Sequence, residues 1–299
     1  MRILAFTNSM DVTVDIVQSH CPRDIDFMRV DSDNPKSLSI EFSAREKNSI
    51  MPTDIIWYRR PFETLSDEND AESIIYRQEI EEMIWSYFLQ YKPSIWVNYP
   101  TKNWISERKI VQLRDAPKYG LNVPDWLISS DKTKIERFVA KHNGNCLVKP
   151  INNGFINHEA GISLIYATKL TDAIDLNYAS NCPTLIQNII DKKYDVRTIY
   201  VDGSVLYFKM ESNNLDVRID QMRDVKYSIV QPPEHIDSAY KYFIQSQGLR
   251  FSTSDFVVTK NDDWFFLENN PNGNWVWIEE YFPGVVIDHF FKSLKVMPC

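Results

Sequence analysis

The chain has 299 residues, enough for two or three subdomains with substantial cores. Its hydrophobic content of 43% includes no apolar run that approaches a membrane span, and its net charge of −8 argues against a nucleic-acid binder that works by neutralising phosphates. Eight glycines supply no Gly-x-Gly-x-x-Gly fingerprint and no Walker A run, the five histidines form no His-Glu-x-x-His set, and no Gly-x-Ser-x-Gly elbow is present, so a nucleotide would have to be held by another route.

The N-terminus Met1-Arg2-Ile3-Leu4-Ala5-Phe6 enters a polar segment at once and does not read as a signal peptide. Cys21, Cys146, Cys182 and Cys299 lack pair spacing and suggest incidental thiols in a reducing cytosol, with neither a zinc site nor a disulfide frame. Residues 1 to about 100 alternate strand and helix: strand Arg2–Phe6, helix Asp11–Ser19, then strands Ile25–Val30, Ser37–Phe42 and Asp54–Tyr58. Helix Ala71–Tyr91 carries Ile80, Met83, Ile84, Tyr87, Phe88 and Tyr91 on one face, Pro93 stops it, and Ile95-Trp96-Val97 starts another strand. This alternation favours a small α/β domain with a largely parallel sheet. Trp57-Tyr58-Arg59-Arg60-Pro61 puts two arginines at a strand end, the edge where α/β sheets generally hold ligands, although a solvated strand end reads equally well.

Asn98-Tyr99-Pro100 reads as a linker, followed by a helix over Ile105–Ala116 that Pro117 and Gly120 end. A second helix, Asp131–His142, is capped by Ser130 or Asp131 and closed by Gly144. Strand Cys146–Lys149 ends in Lys-Pro, and the extended conformation required before proline makes Lys149 project from the sheet. Asn152–Gly161 reads as a polar loop containing His158 and Glu159, before strand Ile162–Tyr166. Thr184–Ile190 is a further strand segment. Lys192–Arg197 opens a hairpin that turns at Asp202-Gly203, with Lys209 on its return strand. Asp216-Val217-Arg218 leads into an irregular stretch to Pro233. Helix Glu234–Gln247 closes at Gly248, and Val285–Leu294 makes the last helix.

Between those last two helices, strands Phe251–Lys260 and Trp264–Glu268 flank Asn261-Asp262. A two-residue turn there sets Lys260 against Asp263 and, counting outward, Asp255 opposite Glu268. Opposed carboxylates repel, so a bare sheet should avoid the arrangement. Asn270 points the same way as Glu268 if the chain stays extended. Asp255, Glu268 and Asn270 form a set of hard oxygen ligands suited to Mg²⁺ completed by substrate phosphates. The alternative is an exposed hairpin whose acids are simply solvated. The polar run Glu268-Asn269-Asn270-Pro271-Asn272-Gly273-Asn274-Trp275 lies between apolar blocks, which marks a loop held rigidly by its neighbours.

This octet resembles the metal-binding signature of ATP-grasp ligases, and more narrowly that of the peptide maturases that make microviridin-type, ester- and amide-crosslinked peptides, the graspetides. Their usual run, Glu-Asn-Asn-Pro-Asn-Gly-Gln-Trp, has Gln where this chain has Asn274, one neutral amide for another. Trp57-Tyr58-Arg59-Arg60 resembles an element of the same maturases. Glu107–Leu113 followed by Gly120–Pro124 resembles the entry to an ATP-grasp domain, with Pro117 a departure that shortens the helix. The resemblance spans about residues 1–295 and is densest from Lys192 to Trp277. It implies a mixed α/β (α+β) chain with the ATP-grasp fold: a Rossmann-like pre-ATP-grasp domain at 1–100, a central subdomain covering the nucleotide at 101–190, and a C-terminal subdomain with the metal site at 191–299. The implied cofactors are ATP and Mg²⁺. Lys109 would contact the nucleotide phosphates and Lys149 the α- and β-phosphates, under a loop at Asn152–Gly161. Gln187, Asn188 and Ile190 would line the adenine edge, Asn188 standing where these maturases commonly have Glu.

Lys109, Lys149, Arg197, Lys209 and Arg218, set against Asp255, Glu268 and Asn270 without a nucleophile pair or a histidine base, suit phosphoryl transfer, which depends mostly on positioning and charge neutralisation. In the ATP-grasp scheme ATP converts a carboxylate to an acyl phosphate, and an amine or hydroxyl then displaces phosphate. Arg197 and Arg218 are assigned to the acceptor side, because a guanidinium fork can hold a carboxylate or phosphoryl group bidentately. Taken alone, each would be a surface salt bridge of little worth, and Lys109 a helix-surface lysine. For the graspetide family the resemblance implies a ribosomally made precursor peptide as partner, whose leader binds the maturase and whose core Glu or Asp side chains are joined to Ser, Thr or Lys. It implies a cytoplasmic enzyme with no nucleic-acid or membrane partner, and leaves a homodimer open. Two other readings stand beside it: a ligase adding free amino acids to a peptide or small acid, and a catalytically silent ATP-grasp fold that binds a peptide or nucleotide. The intact Asp255, Glu268 and Asn270 argue against silence.

Overall fold

A computed structural model describes residues 1–34, 53–61, 71–90, 95–152, 154–158, 161–170, 182–212, 214–217 and 224–296, with the backbone alone for 87–90, 155–158, 161–164 and 296. Strand Ser37–Phe42, Glu159 and Arg218 lie outside the described residues.

The chain opens with β1 (Arg2–Thr7), α1 (Val12–Ser19), β2 (Asp26–Asp31), β3 (Ile55–Tyr58), α2 (Ala71–Gln90) and β4 (Ile95–Val97). The four strands pair in parallel in the order β2-β1-β3-β4. A parallel sheet is covered on both faces, which is why its inner strands are unbroken apolar runs: Ile3–Phe6 and Ile55–Tyr58 are buried throughout. Leu4, Phe6, Ile56 and Tyr58 pack on Ile84 of α2. Ile3, Ala5, Ile55 and Trp57 face the other way, towards Val14 and Val17 of α1.

Next come α3 (Pro100–Ser106), α4 (Lys109–Asp115), β5 (Trp126–Ser129), α5 (Lys132–Lys141), β6 (Cys146–Lys149), β7 (Phe155–His158), β8 (Gly161–Leu164), β9 (Thr168–Lys169) and β10 (Thr184–Asn188). The expected linker at Asn98–Pro100 is instead the start of a helix, because Pro100 sits at the first helical position, where its missing N–H costs nothing. The single helix expected over Ile105–Ala116 is two helices, broken where Arg108 turns extended as the N-cap of α4. The second α-helix ends at Asp115, just before Pro117. Pro117 fits the first turn of a 3₁₀ segment over Ala116–Tyr119, which Gly120, left-handed at φ 91°, closes. The polar loop expected at Asn152–Gly161 is largely a β-hairpin, β7 pairing with β8 from Phe155↔Leu164 to His158↔Gly161. The remaining strands form an antiparallel-paired sheet, β5-β10-β6-β9, backed by α5 through Ile135.

The last part contains β11 (Lys192–Val201), β12 (Ser204–Glu211), β13 (Lys226–Ile229), α6 (Glu234–Ser246), β14 (Phe251–Thr259), β15 (Trp264–Asn270) and α7 (Val285–Val296). Its antiparallel sheet runs β13-β12-β11-β14-β15, so the stretch expected to be irregular up to Pro233 includes an edge strand. Asp202 and Gly203 both adopt positive φ, 44° and 90°, the backbone of the tight turn expected there. One face of this sheet (Val196, Tyr200, Phe256, Phe266) packs on Tyr240, Phe243 and Ile244 of α6. The other (Ile199, Val201, Phe208, Phe251) shares a core with α7, α1 and the first sheet. Helix α7 is the apolar wedge of that shared core, with the Phe290 ring 4.8 Å from Trp57. Among the described residues no helix is long and apolar enough to cross a membrane.

Candidate active site

Asp255 pairs with Glu268 and Thr253 with Asn270 across β14 and β15. The turn joining the strands differs from expectation. Thr259 N–H donates to the Asp263 carbonyl at 3.0 Å, Asp262 N–H donates to Thr259, and Asp262 is left-handed at φ 63°. This is a three-residue loop, Lys260–Asp262, and Thr259 rather than Lys260 faces Asp263. The one-residue slip is undone by a bulge: Phe256 pairs with Phe266 but Asp255 with Glu268, which leaves Leu267 extra. Bulges recur beside active sites because they re-aim side chains. Here the bulge keeps both carboxylates on the face turned away from α6.

The same face receives Arg197, whose register partner is Asp255. Its Nη1 donates to both Asp255 oxygens at 2.8 Å, and its Nη2 donates to the Asn274 carbonyl at 3.0 Å. Lys109, at the start of α4, brings Nζ to 3.8 Å from Glu268 Oε2 while donating to the carbonyls of Pro150 and Asn152 at 2.8 and 3.0 Å. Asn270 Nδ2 lies 3.5 Å from Glu268 Oε1. Five of the candidate residues (Lys109, Arg197, Asp255, Glu268 and Asn270) therefore meet. Among the described residues no group of three or more His, Cys, Asp and Glu is arranged to hold a metal. Two carboxylates and an amide carbonyl are nevertheless the hard donors that suit Mg²⁺ when phosphate oxygens and water complete its shell.

The loop after Glu268 is fixed from behind. Asn269 N–H donates to Gln112 Oε1 at 2.9 Å and Gln112 Nε2 donates to the Asn269 carbonyl at 2.7 Å, while Asn269 Oδ1 accepts from the Ser254 and Ser252 hydroxyls. Buried Asn98 donates to the carbonyls of Phe251 and Pro271 and accepts from the N–H groups of Arg250 and Phe251. Gly273 is a packing requirement, because a Cβ there would overlap the Thr253 hydroxyl. Arg59, only 1% exposed, donates to the Asn272 and Gly273 carbonyls at 3.1 and 3.4 Å, and Arg60 donates to Asn272 at 2.8 Å. Of the two readings of the Trp57–Arg60 element, the solvated strand end is ruled out for Arg59. Sequence reasoning missed Asn98 and Gln112. Their signal, a single amide within an apolar or amphipathic run, is too common to pick out.

Asp195 lies on the Arg197 face, two positions along β11, and its carboxylate meets Lys192 Nζ at 2.5 Å. Burial pushes its pKa up to about 6 against the opposing effect of Lys192, with the Asp255 and Asp216 carboxylates adding to the rise. Lys209 falls elsewhere. Its partner across the ladder is Val196, a residue of the α6-side core, and its Nζ lies 4.7 Å from the Tyr194 ring centre and 2.5 Å from Glu211 Oε1. Alternation along the strand therefore puts Lys209 on the opposite face from Asp255.

In the central sheet Lys149 pairs with Leu185, and Leu147 with Gln187. Lys149 and Gln187 share the face away from α5, since Cys146, Val148 and Ile186 take the other. Gln187 is 2% exposed, yet its Nε2 has no hydrogen-bond partner among the described residues, and neither has buried Asn188 Oδ1. Asn188 pairs with Cys146 and so takes the α5 face, opposite Gln187. The unmet Gln187 donor, on the Lys149 face just before Ile190, is the one that fits a flat heteroaromatic edge such as adenine. An open hollow of about 580 Å³ between the Asp202–Gly203 turn and the start of α6 lies at the other end of β11 and involves none of these residues.

No protein-family model matches the chain, and no curated protein does. Solved structures do. The macrocyclase MdnC from Microcystis aeruginosa MRC, bound with precursor peptide MdnA, superposes with a TM-score of 0.82 at 19% identity over 99% of both chains. A RiPP-associated ATP-grasp ligase from Chryseobacterium gregarium, in complex with ADP and a leader and core peptide, gives 0.81 at 19% identity over 98% of this chain and 97% of its own. The ATP-grasp ligase PsnB, complexed with a phosphomimetic variant of minimal precursor, Mg and ADP, gives 0.75 at 16% identity over 97% and 98%. The likeness runs over nearly the whole length of each chain, and the chain has the ATP-grasp fold.

Proposed function

We propose that this chain is an ATP-dependent peptide ligase that activates Glu or Asp side chains of a ribosomal precursor peptide and joins them to Ser, Thr or Lys as ester or amide rings. The observation that carries this reading is the opposed Asp255–Glu268 pair on one sheet face, with Arg197 and Lys109 in contact with it. Paired carboxylates backed by cations are costly as structure and useful as a Mg²⁺–polyphosphate site. MdnC, the Chryseobacterium ligase and PsnB share the fold and were each captured with peptide, two of them with ADP, which supports a peptide acceptor.

In this reading Asp255, Glu268 and Asn270 hold Mg²⁺, Lys109 and Lys149 neutralise the phosphates, and the Gln187 side chain takes the adenine edge together with the backbone of Asn188 and Ile190. ATP supplies the phosphoryl group. It passes to a carboxylate oxygen of the core peptide, ADP departs, and the hydroxyl or amine then attacks the acyl carbon, loses its proton and expels orthophosphate. Arg197 orients Asp255 at the border of the acceptor side. We assign Arg218 to the acceptor carboxylate, where a guanidinium fork suits it. Residues 1–100, 101–190 and 191–299 serve as the pre-ATP-grasp, nucleotide-covering and metal-bearing units, and the scattered free cysteines suit a reducing cytoplasm.

The test is mass spectrometry after incubation with a cognate precursor, ATP and Mg²⁺. Each ring formed removes one water, about 18 Da, with one ATP consumed per ring. A mass gain points to a ligase that adds amino acids, and no change to a silent binder; either sinks the macrocyclase reading.

A further inference from the structure

Open α/β sheets bind their ligands at the carboxyl ends of the strands, in the crevice where the strand order reverses. In the first sheet that crevice lies between β1 and β3, because the chain leaves β1 for β2 on one side and reaches β3 on the other. Its walls are Thr7 at the end of β1, Asn8 after it, Asp11 at the N-cap of α1, and Arg59 and Arg60 after β3. What fills it belongs to this chain: the Asn272–Gly273 backbone of the loop that follows Glu268.

The crevice is built for that occupant. Arg59 Nε and Nη2 donate to Asp11 at 3.2 and 3.4 Å, and Asp11 also accepts from the Thr7 hydroxyl at 2.6 Å and from Thr13 N–H at 3.1 Å. Burial works against the Asp11 carboxylate, but the Arg59 charge, the Thr7 hydroxyl and Arg60 outweigh it and hold its pKa below the ordinary range. The locked guanidinium then offers Nη1 to the two loop carbonyls. Asn8 Nδ2 fixes Arg60 by donating to its carbonyl at 2.7 Å, and Arg60 spans the Asn272 carbonyl with Nε and Nη2 at 3.3 and 2.8 Å. Two residues before Asn272 is Asn270, and two after it is Asn274, whose carbonyl binds Arg197.

We infer that Arg59 and Arg60 are positioning residues for the metal set: the amino-terminal sheet grips the Asn272–Gly273 backbone and so fixes Asn270 and Glu268 on one side of the grip and the Asn274–Arg197–Asp255 contact on the other. The inference rests on the Mg²⁺–nucleotide reading of the site. Outer partners of metal ligands set metal affinity without touching the metal.

The experiment measures ADP binding by calorimetry as Mg²⁺ is titrated, for wild type, Arg59→Lys, Arg60→Met and a control, Ile84→Ala, which loosens the core on the α2 side of the same sheet, a core that includes no residue of the loop. Arg59→Lys keeps a cation beside Asp11 but loses the fork. Arg60→Met removes one grip on the Asn272 carbonyl and keeps the Arg59–Asp11 pair, and so decides the matter if Arg59→Lys fails to fold. Each arginine variant should raise the Mg²⁺ concentration at half-saturation on the order of tenfold, with Ile84→Ala unchanged whatever its loss in melting temperature. An unmoved Mg²⁺ midpoint in the arginine variants, or an equal shift in Ile84→Ala, overturns the inference while leaving the reading of the site intact. Wild type that binds no Mg²⁺–ADP overturns the reading, and the inference with it.

Discussion

Asp255 and Glu268 lie directly opposite one another in the β14–β15 ladder, each backed by a cation: Asp255 by Arg197 at 2.8 Å and Glu268 by Lys109 at 3.8 Å. Like charges in that position destabilise a sheet, so activity and stability should part when one is neutralised. Glu268→Gln should cut ATP turnover by at least about 100-fold while holding or raising the melting temperature. Asp255→Asn should lose turnover equally but also lose stability, because it leaves the half-buried Arg197 guanidinium without its carboxylate. An ADP-release assay beside thermal melts checks both, and turnover near wild type in either variant would remove the metal assignment.

Gly273 offers a steric test of the same loop. An added Cβ would overlap the Thr253 hydroxyl and approach Thr253 Cβ to 3.0 Å. Gly273→Ala should therefore cost about 1–3 kcal/mol as overpacking and displace Asn270, lowering turnover more than the stability loss alone explains. Thr253→Ala in the same chain removes the hydroxyl and should recover part of both losses. Urea unfolding and ATP turnover of the single and double variants measure the coupling, and strict additivity would mean that the two side chains do not collide.

The parts of this architecture legible in the sequence are those set by local patterns. Apolar runs marked β1 and β3, Asp202-Gly203 marked its turn, and the acid–amide run after Trp264–Leu267 marked the hairpin of the candidate site and carried the resemblance to ATP-grasp enzymes. The pairing of Asp255 with Glu268 came out as expected only because two departures cancel, a longer turn and a bulge at Leu267. Such one-residue slips leave no trace in composition, yet each turns every side chain to the other face. Lys209 shows the same limit: sequence placed it on a strand, and only the register shows which face it takes. Arg59 was conspicuous, but its partner Asn272 is 213 residues away, beyond any local pattern.

Asp195 gives a pH signature with a definite sign. Its pKa rises to about 6 in the fold, chiefly through burial, from about 3.9 unfolded. The folded state therefore holds the proton more tightly, and this residue's contribution to stability is present at low pH and lost as pH climbs through 6. Asp195→Asn removes that dependence. The melting temperature of the variant minus that of wild type should rise between pH 4 and pH 6 and level off above it. A difference that stays flat, or falls, across that window would show that Lys192 outweighs burial and that Asp195 is charged throughout.

Gln187 brings the sharpest opposition between fold and function. Its side chain is buried with Nε2 unpartnered among the described residues, and a buried unsatisfied donor costs about 1–3 kcal/mol. A fold selected for stability alone would place an apolar side chain there, since both neighbouring pairs, Leu185–Lys149 and Leu147–Gln187 itself, already supply leucine on that face. Methionine has similar length and no donor. Gln187→Met should therefore stabilise the ligand-free protein by about 1 kcal/mol and weaken ATP binding by roughly tenfold, the worth of one lost hydrogen bond to a polar edge. The two effects have opposite signs, so neither general damage nor general tightening can mimic them. Thermal melts without nucleotide, and the rise in melting temperature with saturating Mg²⁺–ATP, read both in one experiment. If the variant is less stable without ligand, the donor has a partner in the folded protein. If its nucleotide-induced rise equals that of wild type, the adenine edge lies elsewhere.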